Sequence, residues 1–337
     1  MGARDNPLAL GADAPAAPPD RHVLFNRWQH GFPLVPRPFE ALGADSGLAG
    51  ARVLALLRTG MELGEVSRVG AVFGVGSGGA ALLCAMPVPH ARLDDVAARV
   101  SAEPAVTHNY AREHGWNLWF VVTGIDRAQV EGTVARLEAA TGLPALRLPM
   151  RRAYRIALDF DLFGAGAGGL AASAGEPVRP ELWPLAARLE SGLALVERPY
   201  AALGGGLGLD EASVLRILGR WCDHGTVRRL GVVLRHHEFG IRANAMTVFA
   251  PPEPLIDALG RRLATQPGVT LCYRRESAPG WPYTLYCMVH GRERESVLDT
   301  IESATRAAGL AGVERQVLFS RRRFKQTGSR YFFAAAT

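Results

Sequence analysis

The chain has 337 residues, of which 48% are hydrophobic and 21% charged, an ordinary soluble balance and more chain than one small domain needs. No apolar run reaches the roughly 18 residues that a membrane-spanning helix requires. The net charge is +6 and, apart from Lys325, all of the positive charge is arginine, so the expected partner is anionic, either nucleic acid or a small molecule with several carboxylates.

Residues 1–20, MGARDNPLALGADAPAAPPD, hold several prolines and no apolar signal core; they read as a disordered tail, with the cytoplasm as the expected compartment. Residues 21–75 read as a winged helix-turn-helix. RHVLFNRWQHGF sets Val23, Leu24 and Trp28 at helical spacing, PFEALGADSG starts at Pro38 and stops at glycine, GARVLALLRTGMELG follows, and VSRVGAVFG is a hairpin or wing. Residues 76–160 change period. ALLCAMPV is a strand, ARLDDVAARVSA a helix begun near Pro89, and VTHNYAREH and NLWFVVTG are strands about a Gly115-Trp116 turn. DRAQVEGTVARLEAATG is a helix ended by Gly142, and ALRLPMRRAYRI is the last strand. The order β-α-β-β-α-β is the ferredoxin-like pattern. Residues 161–180 include the Gly- and Ala-rich FGAGAGGLAASAGEP and read as a linker. Residues 181–236 and 237–327 then repeat the two patterns, with His236 and His237 near the second wing and ANAMTVF opening the second sheet.

The repetition is literal. GFPLVPRPFEALG (31–43) and GLALVERPYAALG (192–204) open a stretch in which 19 of 43 positions are identical at a constant offset of 161, which chance does not produce without a gap. EPAVTHNYAREH then pairs with QPGVTLCYRRES, GWNLWFVV with GWPYTLYCMV, and MRRAYRI with SRRRFKQ. The fold class is therefore α+β, a tandem duplication expected to pack as a pseudo-twofold dimer within one chain.

One strand carries an unusual face. Side chains alternate along a strand, so THNYAREH places His108, Tyr110, Arg112 and His114 together. The matching positions of copy two are Leu271, Tyr273, Arg275 and Ser277, which keep the tyrosine and the arginine and drop both histidines. The four cysteines, Cys84, Cys222, Cys272 and Cys287, form no C-x-x-C pair, so their spacing suggests neither zinc nor an iron–sulfur cluster.

A winged helix-turn-helix followed by a ferredoxin-like domain resembles the Lrp/AsnC regulators. GFPLVPRPF, SRVGAVF, VTHNYAREHGWNLWF and VTLCYRRESAPGWPYTLYCMVHGR are, within that superfamily, similar to the siroheme decarboxylases, which occur as two related subunits or as a fusion of both. The resemblance runs from residue 22 to about residue 326. It implies loss of CO2 from two acetate side chains of siroheme to give 12,18-didecarboxysiroheme, in heme d1 or alternative heme synthesis. It implies no resident cofactor and no protein-held metal, since the iron belongs to the substrate. It also implies a histidine at position 271, where this chain has leucine.

Such a substrate is a flat apolar ring rimmed by carboxylates, which calls for arginine clamps and an acid that works near neutral pH. His108 and His114 are expected to be the acid or orienting histidines, with Arg112 anchoring a carboxylate and Tyr110 stacking or donating a hydrogen bond. Arg151, Arg152, Tyr273, Arg275, Arg321 and Arg322 are expected to bind the substrate, and His290, in MVHGR, to line the same cavity. Copy one is then the reactive half. The rival reading is a DNA-binding regulator with a small effector. Its recognition helices would be ARVLALLRTGMEL and EASVLRILGRWCD, each with only two arginines among apolar residues, a weak basis for reading bases. A siroheme carrier without chemistry is the third. Further pairing of the chain and partner proteins of tetrapyrrole synthesis stay open.

Overall fold

The computed structural model describes residues 20–156, 175–235, 243–328 and 330–333; the proposed tail, most of the linker and the His236-His237 pair lie outside the described residues. Copy one comprises α1 (Asp20–Arg27), α2 (Pro38–Ser46), α3 (Gly50–Glu62), β1 (Val66–Phe73), β2 (Ala80–Met86), α4 (Leu93–Ala102), β3 (Val106–Arg112), β4 (Leu118–Gly124), α5 (Arg127–Thr141) and β5 (Leu146–Ile156). Copy two comprises α6 (Trp183–Ser191), α7 (Pro199–Gly204), α8 (Glu211–Asp223), β6 (Val227–Leu234), β7 (Ala243–Phe249), α9 (Ile256–Ala264), β8 (Val269–Arg275), β9 (Leu285–Gly291), α10 (Arg294–Ala307) and β10 (Arg315–Gln326). Helix ends follow from local chemistry. Pro38 opens α2, the Asp126 carboxylate accepts the Gln129 N–H at 2.7 Å to cap α5, and Gly142 ends α5 in the left-handed region.

The wing is not a hairpin. β1 is a single strand that pairs antiparallel with β6 of the other copy, with Gly70 opposite Gly231. The helices of each copy close over the other's strand: Val232 N–H donates to the Trp28 carbonyl at 2.8 Å, and Leu193 N–H to the Val69 carbonyl at 2.7 Å. A Cβ on Gly231 would collide with the carbonyl of Gln29, which explains glycine within the repeated R-x-G-x-V motif. Gly231→Ala is expected to lower stability by about 1–3 kcal/mol in thermal unfolding. Gly219→Ala on α8, with open space around it, should be neutral or slightly stabilising. One apolar core serves both helix-turn-helix units, with Phe25, Leu42 and Leu57 packed in the same cluster as Leu189, Tyr200 and Leu218.

The two ferredoxin-like sheets close into an eight-stranded barrel of order β10-β3-β4-β2-β5-β8-β9-β7. Closure depends on the two longest strands. β5 pairs with β2 and then with β8 of copy two; β10 pairs with β7 and then with β3 of copy one. Helices α4 and α5 cover one sheet and α9 and α10 the other. Inside, Trp119, Leu148, Met246, Trp281, Tyr286 and Leu318 form a buried plug. The rest of the interior is looser: His108, Tyr110, Val121, Leu271, Tyr273, Met288 and His290 are only partly buried. No helix among the described residues is long and apolar enough to cross a membrane.

After β10 the chain runs along the barrel rim to the helix-turn-helix core. Thr327 N–H donates to the Thr107 carbonyl at 2.8 Å. The Tyr331 and Phe332 N–H groups donate to the Glu190 carboxylate at 2.7 and 2.9 Å, and the Phe332 ring lies 5.1 Å from that of Phe73. Burial pushes Glu190 from the ordinary 4.5 up to about 7, outweighing these hydrogen bonds and the nearby Arg68 and Arg330 charges. Between those two values the folded state holds a proton that the unfolded state has released. Stability should therefore fall as pH rises through this window, by up to about 1.4 kcal/mol per unit, and Glu190→Gln should flatten that slope in denaturant titrations.

Candidate active site

β3 carries an irregularity between Val106 and His108 in its pairing with β4, so Thr107 is the extra residue of a bulge. The bulge resets the alternation. Val106 and Asn109 face the helices, where the Asn109 amide donates to the Ala97 carbonyl of α4 at 3.0 Å. His108, Tyr110 and Arg112 face the barrel interior. The His108 and Tyr110 rings stack with centroids 6.3 Å apart, and the Arg112 guanidinium lies 5.5 Å from the Tyr110 ring. β8 repeats the device: Arg275 lies 5.3 Å from the Tyr273 ring, and β8 is irregular between Val269 and Leu271.

The two arginines are matched in their surroundings. Arg112 Nη1 donates to the Leu318 carbonyl at 2.9 Å and Arg275 Nη1 to the Leu148 carbonyl at 2.8 Å. In both, Nε is buried without a hydrogen-bond partner, and neither guanidinium meets a carboxylate among the described residues. Burial lowers the pKa of both, Arg112 to about 10. A buried cation with no counter-charge costs several kcal/mol, and an entering carboxylate would relieve that cost. Burial likewise pushes His108 down to about 4 and Tyr110 up to about 12. His108 is thus neutral near pH 7, its Nδ1 3.0 Å from Thr107 Oγ1.

The other expected residues divide. His290 lies on β9 in step with Tyr286 and Met288, facing inward, with Nδ1 2.9 Å from Thr270 Oγ1. His114 does not share the His108 face. β3 ends at Arg112, and His114 sits in the following turn, where Nδ1 accepts the Trp116 N–H at 3.0 Å and the ring meets Trp281 edge-on at 5.2 Å. It packs beside the plug, so two histidines on one strand face is not what the fold provides. The adjacent arginine pairs also fall elsewhere. Arg151 and Arg152 are exposed and line an outer cleft of about 520 Å3 with Asp257 and Arg274. Arg151 pairs with Glu276 at 2.8 Å and Arg152 with Asp257 at 2.6 Å. Arg321 lies 3.7 Å from Glu113, and Arg322 2.5 Å from Asp94. These four arginines already have acids, whereas Arg112 and Arg275 meet none among the described residues.

Register adds residues that sequence reading missed. Arg323 of β10 lies opposite Tyr110 and Gln326 opposite His108, so they share the inward face. Arg323 donates to Gln326 at 3.2 Å and makes no ion pair among the described residues. The threonine at each bulge was visible in the sequence, but its role was not.

Among the described residues no cluster of three or more histidines, cysteines or carboxylates is placed to hold a metal ion. Residues 77–155 and 238–325 match the AsnC-like ligand binding domain, and residues 21–64 and 185–228 the siroheme decarboxylase NirDL-like HTH domain. The chain is 41% identical over 309 residues, 91% of its length and 95% of the relative's, to the siroheme decarboxylase NirDL subunit of Paracoccus denitrificans. It is similar to the crystal structure of the siroheme decarboxylase NirDL, with TM-score 0.68 and 26% identity over 94% of this chain and 96% of that one. It is also similar to the NirDL co-complex with an iron-uroporphyrin III analogue, with TM-score 0.67 and 26% identity over 93% of each chain. The chain belongs to the siroheme decarboxylase family.

Proposed function

We propose that this chain removes two acetate carboxyl groups of siroheme as CO2, giving 12,18-didecarboxysiroheme, inside the half-filled barrel. The observation that carries the reading is the pair of guanidiniums of Arg112 and Arg275, one per copy, each packed by a tyrosine, with Nε buried and unpartnered and no acid beside it among the described residues. The barrel supplies what a polycarboxylate ring needs. Tyr110 and Tyr273 offer aromatic faces, Arg112 and Arg275 grip the rim, and Arg323 adds a cation at the copy-one side. Gripping a carboxylate in a poorly hydrated cavity favours its loss. The departing CO2 leaves an electron pair that the ring delocalises until a proton arrives, and His108 is placed to handle that proton. The iron is part of the substrate, and no resident cofactor enters the scheme. The cytoplasm is the proposed compartment, and the internal pseudo-dimer the working unit.

DNA reading is proposed to be lost. Arg58, one of the two arginines of the first candidate recognition helix, donates to the Leu195 carbonyl of the other copy at 2.7 Å, so it is engaged in a contact between the copies. Anaerobic incubation of the pure protein with siroheme separates the readings. A product lighter by two carboxyl groups is the expected result. Unchanged mass with a shifted absorption band would mean a carrier, and no spectral change with sequence-selective duplex binding at physiological salt would mean a regulator.

A further inference from the structure

The tyrosine–arginine pairs are alike in the two copies, but the lining around them is not. A flat ring held only by Tyr110–Arg112 and Tyr273–Arg275 would meet the same contacts after half a turn about the internal twofold axis. The two long strands break that equivalence. On β10, Ser320 lies opposite Arg112, Arg323 opposite Tyr110 and Gln326 opposite His108. On β5, Met150 lies opposite Arg275, Ala153 opposite Tyr273 and Ile156 opposite Leu271. Cross-strand partners share a face, so these are the inward positions of each strand, in matching order. Where β10 shows serine, arginine and glutamine, β5 shows methionine, alanine and isoleucine.

The neighbouring strands extend the contrast. Asn244 of β7 falls in step with the plug residues Met246 and Val248, and its Oδ1 accepts from the Ser320 hydroxyl at 2.7 Å. On β2, beside β5, Leu83 lies opposite Leu148 of the plug, and Ala81 shares its face by alternation. In the closed order β10-β3-β4-β2-β5-β8-β9-β7, β10 stands across the barrel from β5 and β7 across from β2. The open half of the interior therefore has a polar wall facing an apolar one. Siroheme has a matching polarity. Carboxylates lie all round its rim, so charge alone does not orient it. Its two reduced rings are adjacent and each carries an extra methyl group, whereas the two acetates that are lost sit on the other two rings.

We propose that the apolar wall of Leu83, Met150, Ala153 and Ile156 recognises the methylated half of siroheme and so turns the half that bears the reacting acetates toward β3 and β10. The proposal rests on the siroheme reading above and names the residues that choose between two otherwise equivalent poses. Each buried methyl group is worth about fourfold in affinity. Two of them favour the seated pose, and siroheme over an unmethylated ring, by about tenfold. Arg323, on the facing wall, meets a carboxylate of either ring and holds both alike.

The test compares stopped-flow absorbance titrations with siroheme and with iron-uroporphyrin III, which carries the same acetates and propionates but neither extra methyl group. The wild type is expected to favour siroheme. Ala153→Ser combined with Ile156→Thr keeps side-chain size and adds hydroxyls to the wall; it should lower that preference by about tenfold, by weakening siroheme, with Tm close to wild type. Either single variant should move the preference part of the way, which keeps the test open if the double variant unfolds. Arg323→Met should weaken both ligands by about tenfold and leave the preference unchanged. A preference that stays at the wild-type value in the β5 variants, or that moves with Arg323→Met instead, would overturn the proposal. A wild-type protein that bound neither ring would overturn the siroheme reading itself.

Discussion

His108→Ala is expected to bind siroheme and to slow the loss of CO2 by about 10²–10⁴-fold, read as product mass over time. Burial puts the empty-site His108 at about 4, well below its ordinary 6.5. Between these values the unfolded chain binds a proton that the folded one refuses, so His108 makes stability rise with pH across the window and decline as pH falls toward 4. His108→Ala should remove that slope in acid unfolding. Substrate reverses the balance. Carboxylates brought next to the ring favour its charged form, so the acid limb of activity should lie well above 4 and move with Thr107→Val, which frees Nδ1 without touching substrate. His108→Ala with both CO2 losses at the wild-type rate would remove His108 from the chemistry.

The duplication was legible because the two copies keep the same residues at a fixed offset, and the βαββαβ order because helix and strand periods differ. The closure was not. ALRLPMRRAYRI and its copy-two match read as plain last strands, yet each changes partner midway, from its own sheet to the other copy's. Such a switch is set by residues distant in sequence. The wing failed as a hairpin for the same reason, since its partner is β6 of the other copy. In the site, Tyr110 and Arg112 were readable from alternation, and copy two served as a control. The bulge at Thr107 left no periodic signal, and the turn at Gly115 ended β3 before His114 could join the face. The paired arginines were conspicuous, but the acids that neutralise them all belong to the opposite copy, Asp94 and Asp257 on helices and Glu113 and Glu276 just past β3 and β8.

Arg112→Met is expected to do two opposite things: stabilise the empty protein and cripple substrate binding. The depression of Arg112 from the ordinary 12.5 to about 10 corresponds to a desolvation penalty of roughly 3 kcal/mol. A folded pKa below the unfolded one means that the penalty is felt in full at every pH below about 10 and fades only as pH rises beyond it. Methionine keeps most of the apolar stem beside Tyr110 and gives up the hydrogen bond to the Leu318 carbonyl, a loss of about 1 kcal/mol. The net expectation is a gain of about 1–2 kcal/mol, seen as a higher Tm without ligand. With siroheme the order reverses. The buried charge is what the substrate carboxylate meets, and removing one partner of such a pair costs about 2–5 kcal/mol, a weakening of at least tenfold in a spectroscopic titration. Arg275→Met should behave alike, because its Nε is also unpartnered and its Nη1 holds the matching carbonyl of Leu148. Arg151→Met is the contrast, since its exposed pair with Glu276 should move neither Tm nor affinity by more than about 1 kcal/mol. A less stable empty Arg112→Met protein that still bound siroheme as tightly as wild type would mean that the guanidinium serves the fold and the carboxylates bind elsewhere.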